Sequence, residues 1–405
     1  MQNFNLNQWI KICIFNFLFV ASLGVLMRYK IGFEFPYLNQ HNIQHAHSNF
    51  AFSGWITQTI FVLIVSNIQN YLTNKQIKQY QVLLWCNVIC SYSLLFLFVI
   101  FGYNFYSISL TTISIIILII FAILFFRHSS YFNTRPATKW FKAALIFALI
   151  SYTGTFSIII LMTGKHIYQN WYLASVYFYL HFQYNGWFFF SCIALYISNI
   201  KDTNRLLKYE KIVYKILVYS CIPAYFLSIL WANLPIWIYV LTLISALAQC
   251  MAWFYFLSKI LNYIKTIQLT AFTKFLFYFI AIAGSIKFLL QLGSTVPFIS
   301  HMAFGFRPII IAYLHLVLLA FISMMLIFYM YISYSVLNNK YSIYAMVSLA
   351  LGVLMNELVL ATQGIASIGY IMIPFCNSIL FIVALIIWIS IMCLFITLFN
   401  KQLKN

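Results

Sequence analysis

Residues 41–68 read HNIQHAHSNFAFSGWITQTIFVLIVSNI. The stretch carries no Lys, Arg, Asp or Glu, and it exceeds the roughly 20 apolar residues that a helix needs to cross the hydrocarbon of a bilayer. It therefore reads as a membrane span. After a helix start near His41, its first turns bring two imidazoles, His45 and His47, toward membrane depth. Ionisable groups there are costly to desolvate, so they are functional candidates by default.

Working outward, similar apolar runs fall at 9–27, 80–101, 107–126, 140–162, 171–198, 212–231, 234–258, 270–292, 307–336, 341–362 and 373–398. With residues 41–68 they make twelve. Only 7% of the chain is charged, against about 25% in soluble domains, which excludes a water-soluble fold. The connections are short pieces such as Ser129 to Pro136, whose backbone groups lack partners in lipid and so belong outside it. If the N-terminus is cytoplasmic, 18 of the 23 Lys and Arg fall on the inner side, leaving Arg28, Lys30, Lys165, Lys287 and Arg307 outside. This asymmetry follows the positive-inside rule. The expected fold is an all-α polytopic membrane protein, one integral domain over 1–405, with twelve transmembrane helices and both termini cytoplasmic. The net charge of +19 then reflects topology and attraction to anionic lipid, not nucleic-acid binding.

The eight cysteines all sit in apolar runs without a Cys-x-x-Cys pair, which suits reduced, packed thiols. Cys86 and Cys90, one turn apart, read as packing rather than metal ligands. No small-residue cleavage pattern precedes Arg28, so the first run is expected to be retained as a span. No two glycines are spaced Gly-x-x-x-Gly, so close crossings of that kind are not the main packing device.

Three spans that run inward, the second, sixth and tenth, each carry a histidine in the outer half: His45 and His47, His181, and His315. At 1.5 Å per residue they lie roughly 7–15 Å below the helix starts. Imidazole is a strong ligand for iron, copper or zinc, and bundle interiors are where such sites are built. His45 and His47 are about 200° apart around a helix, so they cannot both face one centre. His128 and His166 read as solvated loop residues, and His301 as a loop cap. Glu357 reads as the only carboxyl group within a span, with Lys287 its plausible partner.

The patches around these histidines resemble the haem-copper oxidase superfamily. His45 to Trp55 is similar to the His followed by Phe-Ala-Phe-Gly-Gly of cbb-type oxidases, His181-Phe182-Gln183-Tyr184-Asn185-Gly186-Trp187 to the His-x-x-x-Glu-Gly-aromatic pattern of nitric oxide reductases, and Ala312-Tyr313-Leu314-His315-Leu316-Val317-Leu318 to the oxidase pattern Ala-His-x-His-x-Val-Leu. The resemblance implies a haem-copper-oxidase-like bundle in the plasma (inner) membrane. It also implies haem b with axial ligands from His45 or His47 and His315, and Arg28, Lys287 and Arg307 as partners of the haem propionates. Electron-donor or other respiratory subunits would be its partners. Tyr313 stands where the family places its high-spin haem ligand, and span 7 contains no histidine. The pair that completes a copper site with His181 is thus missing, which argues against copper and against standard oxidase or nitric oxide reductase chemistry. Tyr313 remains an alternative metal ligand through its phenolate.

The function expected is a haem-binding redox protein engaged in electron transfer, in sensing of nitric oxide or oxygen, or in assembly, with enzymatic activity left open. A secondary transporter and a haem-free membrane assembly protein are the alternatives; few Gly and Pro and a single intramembrane acid argue against the transporter. Topology is directly testable. Alkaline phosphatase fused at Ser130 or after the last residue should be inactive, whereas a fusion at Gly164 should be active. The opposite pattern would refute the orientation.

Overall fold

The computed structural model describes residues 4–164, 168–200, 203–334 and 337–399, with side chains there except at 163, 203–208, 301 and 303. His166 and the termini lie outside the described residues, as does the His301 side chain. Among the described residues the chain is helical, with no strand. We label the helices α1 (Leu6–Gly32), α2 (Gln40–Tyr71), α3 (Asn74–Phe101), α4 (Phe105–Phe132) and α5 (Pro136–Thr163). Gln169–His181, Phe182–Phe188 and Phe189–Ser198 run on as α6, and Thr203–Cys221 with Pro223–Ile229 forms α7. Then follow α8 (Ile236–Ile264), α9 (Ala271–Gly293), α10 (Arg307–Ser333), α11 (Lys340–Ile368) and α12 (Cys376–Thr397). A short helix, Pro297–Gly305, precedes α10.

Ten helices among the described residues are long and apolar enough to cross a membrane, or eleven if bent α7 is one span. The chain is thus a multi-pass membrane protein by length and composition. The expected α6 span falls outside that set: it is long enough, but Gln169, Asn170, Trp171, Tyr172 and the amides Gln183 and Asn185 make it polar. α7 differs from the continuous run expected at 212–231. It bends by 47° where Pro223 stands, since proline removes a backbone donor and clashes with the preceding turn.

The helices group into two compact units. The first holds Met1–Asn133, Leu326–Val359 and Ile373–Asn405; the second holds Thr134–Met325 and Leu360–Met372. In the first, α1 packs along α12 and α2 along α3. Phe17 stacks on Trp55 at 4.4 Å and Phe61 on Phe121 at 3.8 Å between centroids. Helix α3 shows the membrane pattern plainly. Val82, Trp85, Ile89, Phe96 and Ile100 are exposed, while Asn87 and Ser91 are buried with Leu84, Leu95 and Phe98. Apolar groups face out and amides face in, the arrangement hydrocarbon favours. In the second unit α5 packs on α6, and α8 on α7 and α9. Gly154 permits the α5–α6 approach, because a Cβ there would lie 2.8 Å from the Ser175 carbonyl.

Three helices are locally unwound into π-helical turns: Ala51–Thr57 in α2, Phe182–Phe188 in α6 and Leu316–Ser323 in α10. A wider turn displaces backbone carbonyls from their usual donors, and in lipid something else must answer them. In α2, Asn16 Nδ2 from α1 donates to the Gly54 carbonyl at 2.6 Å, and Asn87 Nδ2 from α3 donates to the Ser53 carbonyl at 3.1 Å and to Gln58 Oε1 at 2.8 Å. Tyr92 completes the set by donating its hydroxyl to Asn16 Oδ1 at 2.8 Å. In α10, Ser323 Oγ donates to the Leu318 carbonyl five residues back at 2.7 Å. Replacing Asn16 by Leu strips the Gly54 carbonyl and the Tyr92 hydroxyl of partners. We expect a loss of about 1–2 kcal/mol, read as a lower Tm in detergent; an unchanged Tm would show that the Gly54 carbonyl needs no partner.

Candidate functional site

Each π-helical turn begins at or just after a histidine: four residues past His47, and immediately after His181 and His315. Such turns recur at functional positions because they reposition the side chains of one helix face. The hydrogen bonds around the rings then sort them into three kinds.

His47 is half-buried, with Nδ1 3.1 Å from the Val20 carbonyl of α1. His315, also half-buried, places Nδ1 2.8 Å from the Ile311 carbonyl of its own helix. A carbonyl only accepts, so in both rings the neutral tautomer carries its proton on Nδ1 and its lone pair on Nε2. In metal-ligating histidines, too, one ring nitrogen donates to a carbonyl or carboxylate.

His181 is the reverse case. It is buried, its Nε2 lies 2.9 Å from the Cys221 carbonyl, and Asn185 Nδ2 approaches Nδ1 at 3.1 Å. Nε2 must donate to that carbonyl, so Nδ1 accepts from the amide. Both ring nitrogens are engaged, and neither lone pair remains for a metal in this state. Asn185 Oδ1 is left buried without a hydrogen-bond partner.

His45 pairs with His41. Their Nε2 atoms are 3.1 Å apart and the ring centroids 4.3 Å apart. The sequence reading singled out His45 but not this companion, although an i, i+4 spacing puts both on one helix face.

Around His181 the second unit gathers further polar groups. Lys287 on α9, 1% exposed, donates to Gln291 Oε1 at 2.9 Å and lies 4.0 Å above the Phe288 ring. It is within electrostatic reach of His181 and Cys221. The Tyr313 hydroxyl is buried with no hydrogen-bond partner, its ring 6.3 Å from that of Tyr184. Of the expected propionate partners, Arg28 lies in the first unit, and Lys287 and Arg307 in the second. Glu357, in the first unit, accepts from Asn356 Nδ2 at 3.1 Å. Among the described residues no three His, Cys, Asp or Glu side chains gather into a metal-binding group.

Two expectations are corrected. His128 is not a solvated loop residue: it ends the α-helical part of α4, is 4% exposed, and pairs through Nδ1 with the Tyr80 hydroxyl at 3.2 Å. Glu357 is not the only acid within a span. Glu210, just ahead of the run expected from 212, is 2% exposed, pairs with Lys139 at 2.7 Å and accepts from the Trp140 indole, clasping α5 to α7. The signal was the Lys139-Trp140 pair opposite a lone acid. Asn16, Asn87 and Asn185 were also missed, though amides inside apolar runs mark interhelical bonds.

No known family model and no curated protein matches this chain.

Lys287 separates structural from functional charge. Exchanging a buried ammonium for an apolar chain of similar length removes a desolvation cost, so Lys287→Met should leave stability unchanged or raise it by roughly 1 kcal/mol. A Tm well below that of the wild type would make the ammonium a structural element.

Proposed function

We propose that the protein is a haem b-binding redox protein that crosses a plasma (inner) membrane twelve times with both termini cytoplasmic. The single observation that carries this reading is the tautomer shared by His47 and His315, each proton tied to a backbone carbonyl through Nδ1, with a π-helical turn following. These two histidines are the ligand candidates. His45 is set aside because its Nε2 is paired with His41. A haem with two imidazole ligands supplies one-electron transfer rather than gas binding.

The residues contribute orientation and charge. The Val20 and Ile311 carbonyls hold the rings in position and raise their basicity as ligands. Arg28 and Arg307 are the candidate partners for anionic propionates, while Lys287 adds positive charge inside the second unit. The reading includes no copper, since His181 engages both ring nitrogens within the protein and α7 has no histidine. Tyr313, with its buried hydroxyl near Tyr184, stays the alternative ligand through its phenolate.

Purified protein should give a b-type pyridine haemochrome and a split low-spin α band in reduced-minus-oxidised spectra. His47→Ala and His315→Ala should each abolish that band, and His45→Ala should retain it. A colourless preparation from haem-sufficient cells, or a band that survives both substitutions, would overturn the proposal.

A further inference from the structure

The pair His41 and His45 has no part in the haem reading, and its geometry serves a different chemistry. Helix α2 begins at Gln40, and Asn39 caps it by accepting from the backbone amides of His41 at 2.9 Å and Asn42 at 3.3 Å. The cap fixes the first turn, so His41 and His45 stand one above the other. Tyr103 supports the His45 ring edge-on at 4.6 Å, with Phe98 at 6.4 Å. His41 is exposed and His45 half-buried.

The two Nε2 atoms are 3.1 Å apart. Two metal–imidazole bonds of about 2.05 Å at an angle of about 100° span roughly the same distance, so the rings already hold the bite of a cis chelate. We propose that His41 and His45 form a two-imidazole chelate for a divalent transition-metal ion of the nickel, copper or zinc class at the start of α2, with water filling its remaining positions. The ring now donating through Nε2 shifts its proton to Nδ1, so both rings offer Nε2 lone pairs and no proton need leave. The positive end of the helix opposes a cation there. Together with only two protein ligands, this makes the site an exchangeable one.

The test uses the full-length protein in detergent without a histidine tag. Titration with Zn²⁺ or Ni²⁺ by calorimetry should show a binding step that weakens on the order of 100-fold in His41→Ala, because the second imidazole acts at high effective concentration. The Cu²⁺ complex should show electron paramagnetic resonance couplings to two imidazole nitrogens in the wild type and to one in His41→Ala or His45→Ala. Exposure of His41 makes its replacement harmless to folding, which the size-exclusion profile checks. Identical isotherms for wild type and His41→Ala, or a Cu²⁺ spectrum without two imidazole nitrogens, would overturn the proposal. The haem reading fails or stands separately: His315→Ala should remove the visible band and keep this metal step, and His41→Ala should do the reverse.

Discussion

A helix in hydrocarbon cannot leave a backbone carbonyl unanswered, and this constraint governs how the protein positions its histidines. The turns at Ala51–Thr57, Phe182–Phe188 and Leu316–Ser323 depart from the α-helical ladder. In α2 the departure persists because Asn16 and Asn87, on two neighbouring helices, present amide donors to the Gly54 and Ser53 carbonyls. The amides, and the Tyr92 hydroxyl behind one of them, explain why polar side chains occupy the middle of otherwise apolar runs. They trade the cost of intramembrane polarity for a backbone that a regular helix does not provide.

The same constraint decides the chemistry of each imidazole. Facing a carbonyl through Nδ1, as His47 and His315 do, a ring keeps its proton on Nδ1. His181 faces a carbonyl through Nε2 and an amide through Nδ1, and becomes a satisfied structural element. Facing another ring, as His41 and His45 do, it shares a proton between two Nε2 atoms. One residue type thus takes three roles, set by the neighbouring acceptor and not by the sequence around the histidine. In the patches that suggested a resemblance to oxidases, His45 and His181 looked as suitable as His47 and His315.

The apolar runs and the position of the histidines within them were legible because both rest on composition and on a rise of 1.5 Å per residue. The bend in α7 was signalled by Pro223, which sat unremarked in an apolar run. The π-helical turns were not legible: hydrophobic periodicity is smeared by a single inserted residue, and the donors that stabilise a wide turn come from other helices. His128 was misread from its neighbours Arg127 and Ser129. It is the fold of Ser129–Phe132 at the end of α4, with Tyr80 reaching across from α3, that buries it. Glu210 was missed because its burial depends on Lys139 and Trp140, seventy residues earlier.

The scarcity of acids has a consequence of its own. With 4 Asp and Glu against 23 Lys and Arg, and with Glu210 committed to Lys139 and Trp140, the chain has few carboxylates to place beside a buried cation. Lys287 is held instead by the Gln291 amide oxygen and by ring faces, Phe288 at 4.0 Å and Phe189 at 5.6 Å. Phe189 in turn stacks 6.1 Å from Phe321, in the π-helical turn that follows His315. An ammonium solvated by an amide and aromatic quadrupoles keeps most of its field, because dipoles screen a charge far less than a carboxylate does. A redox centre held by His315 would feel that field, and reduction, which adds an electron, would be favoured by it. A charged Lys287 would act on the potential of such a centre from the protein interior, a role that a snorkelling lysine at the membrane surface, screened by water and salt, could not fill.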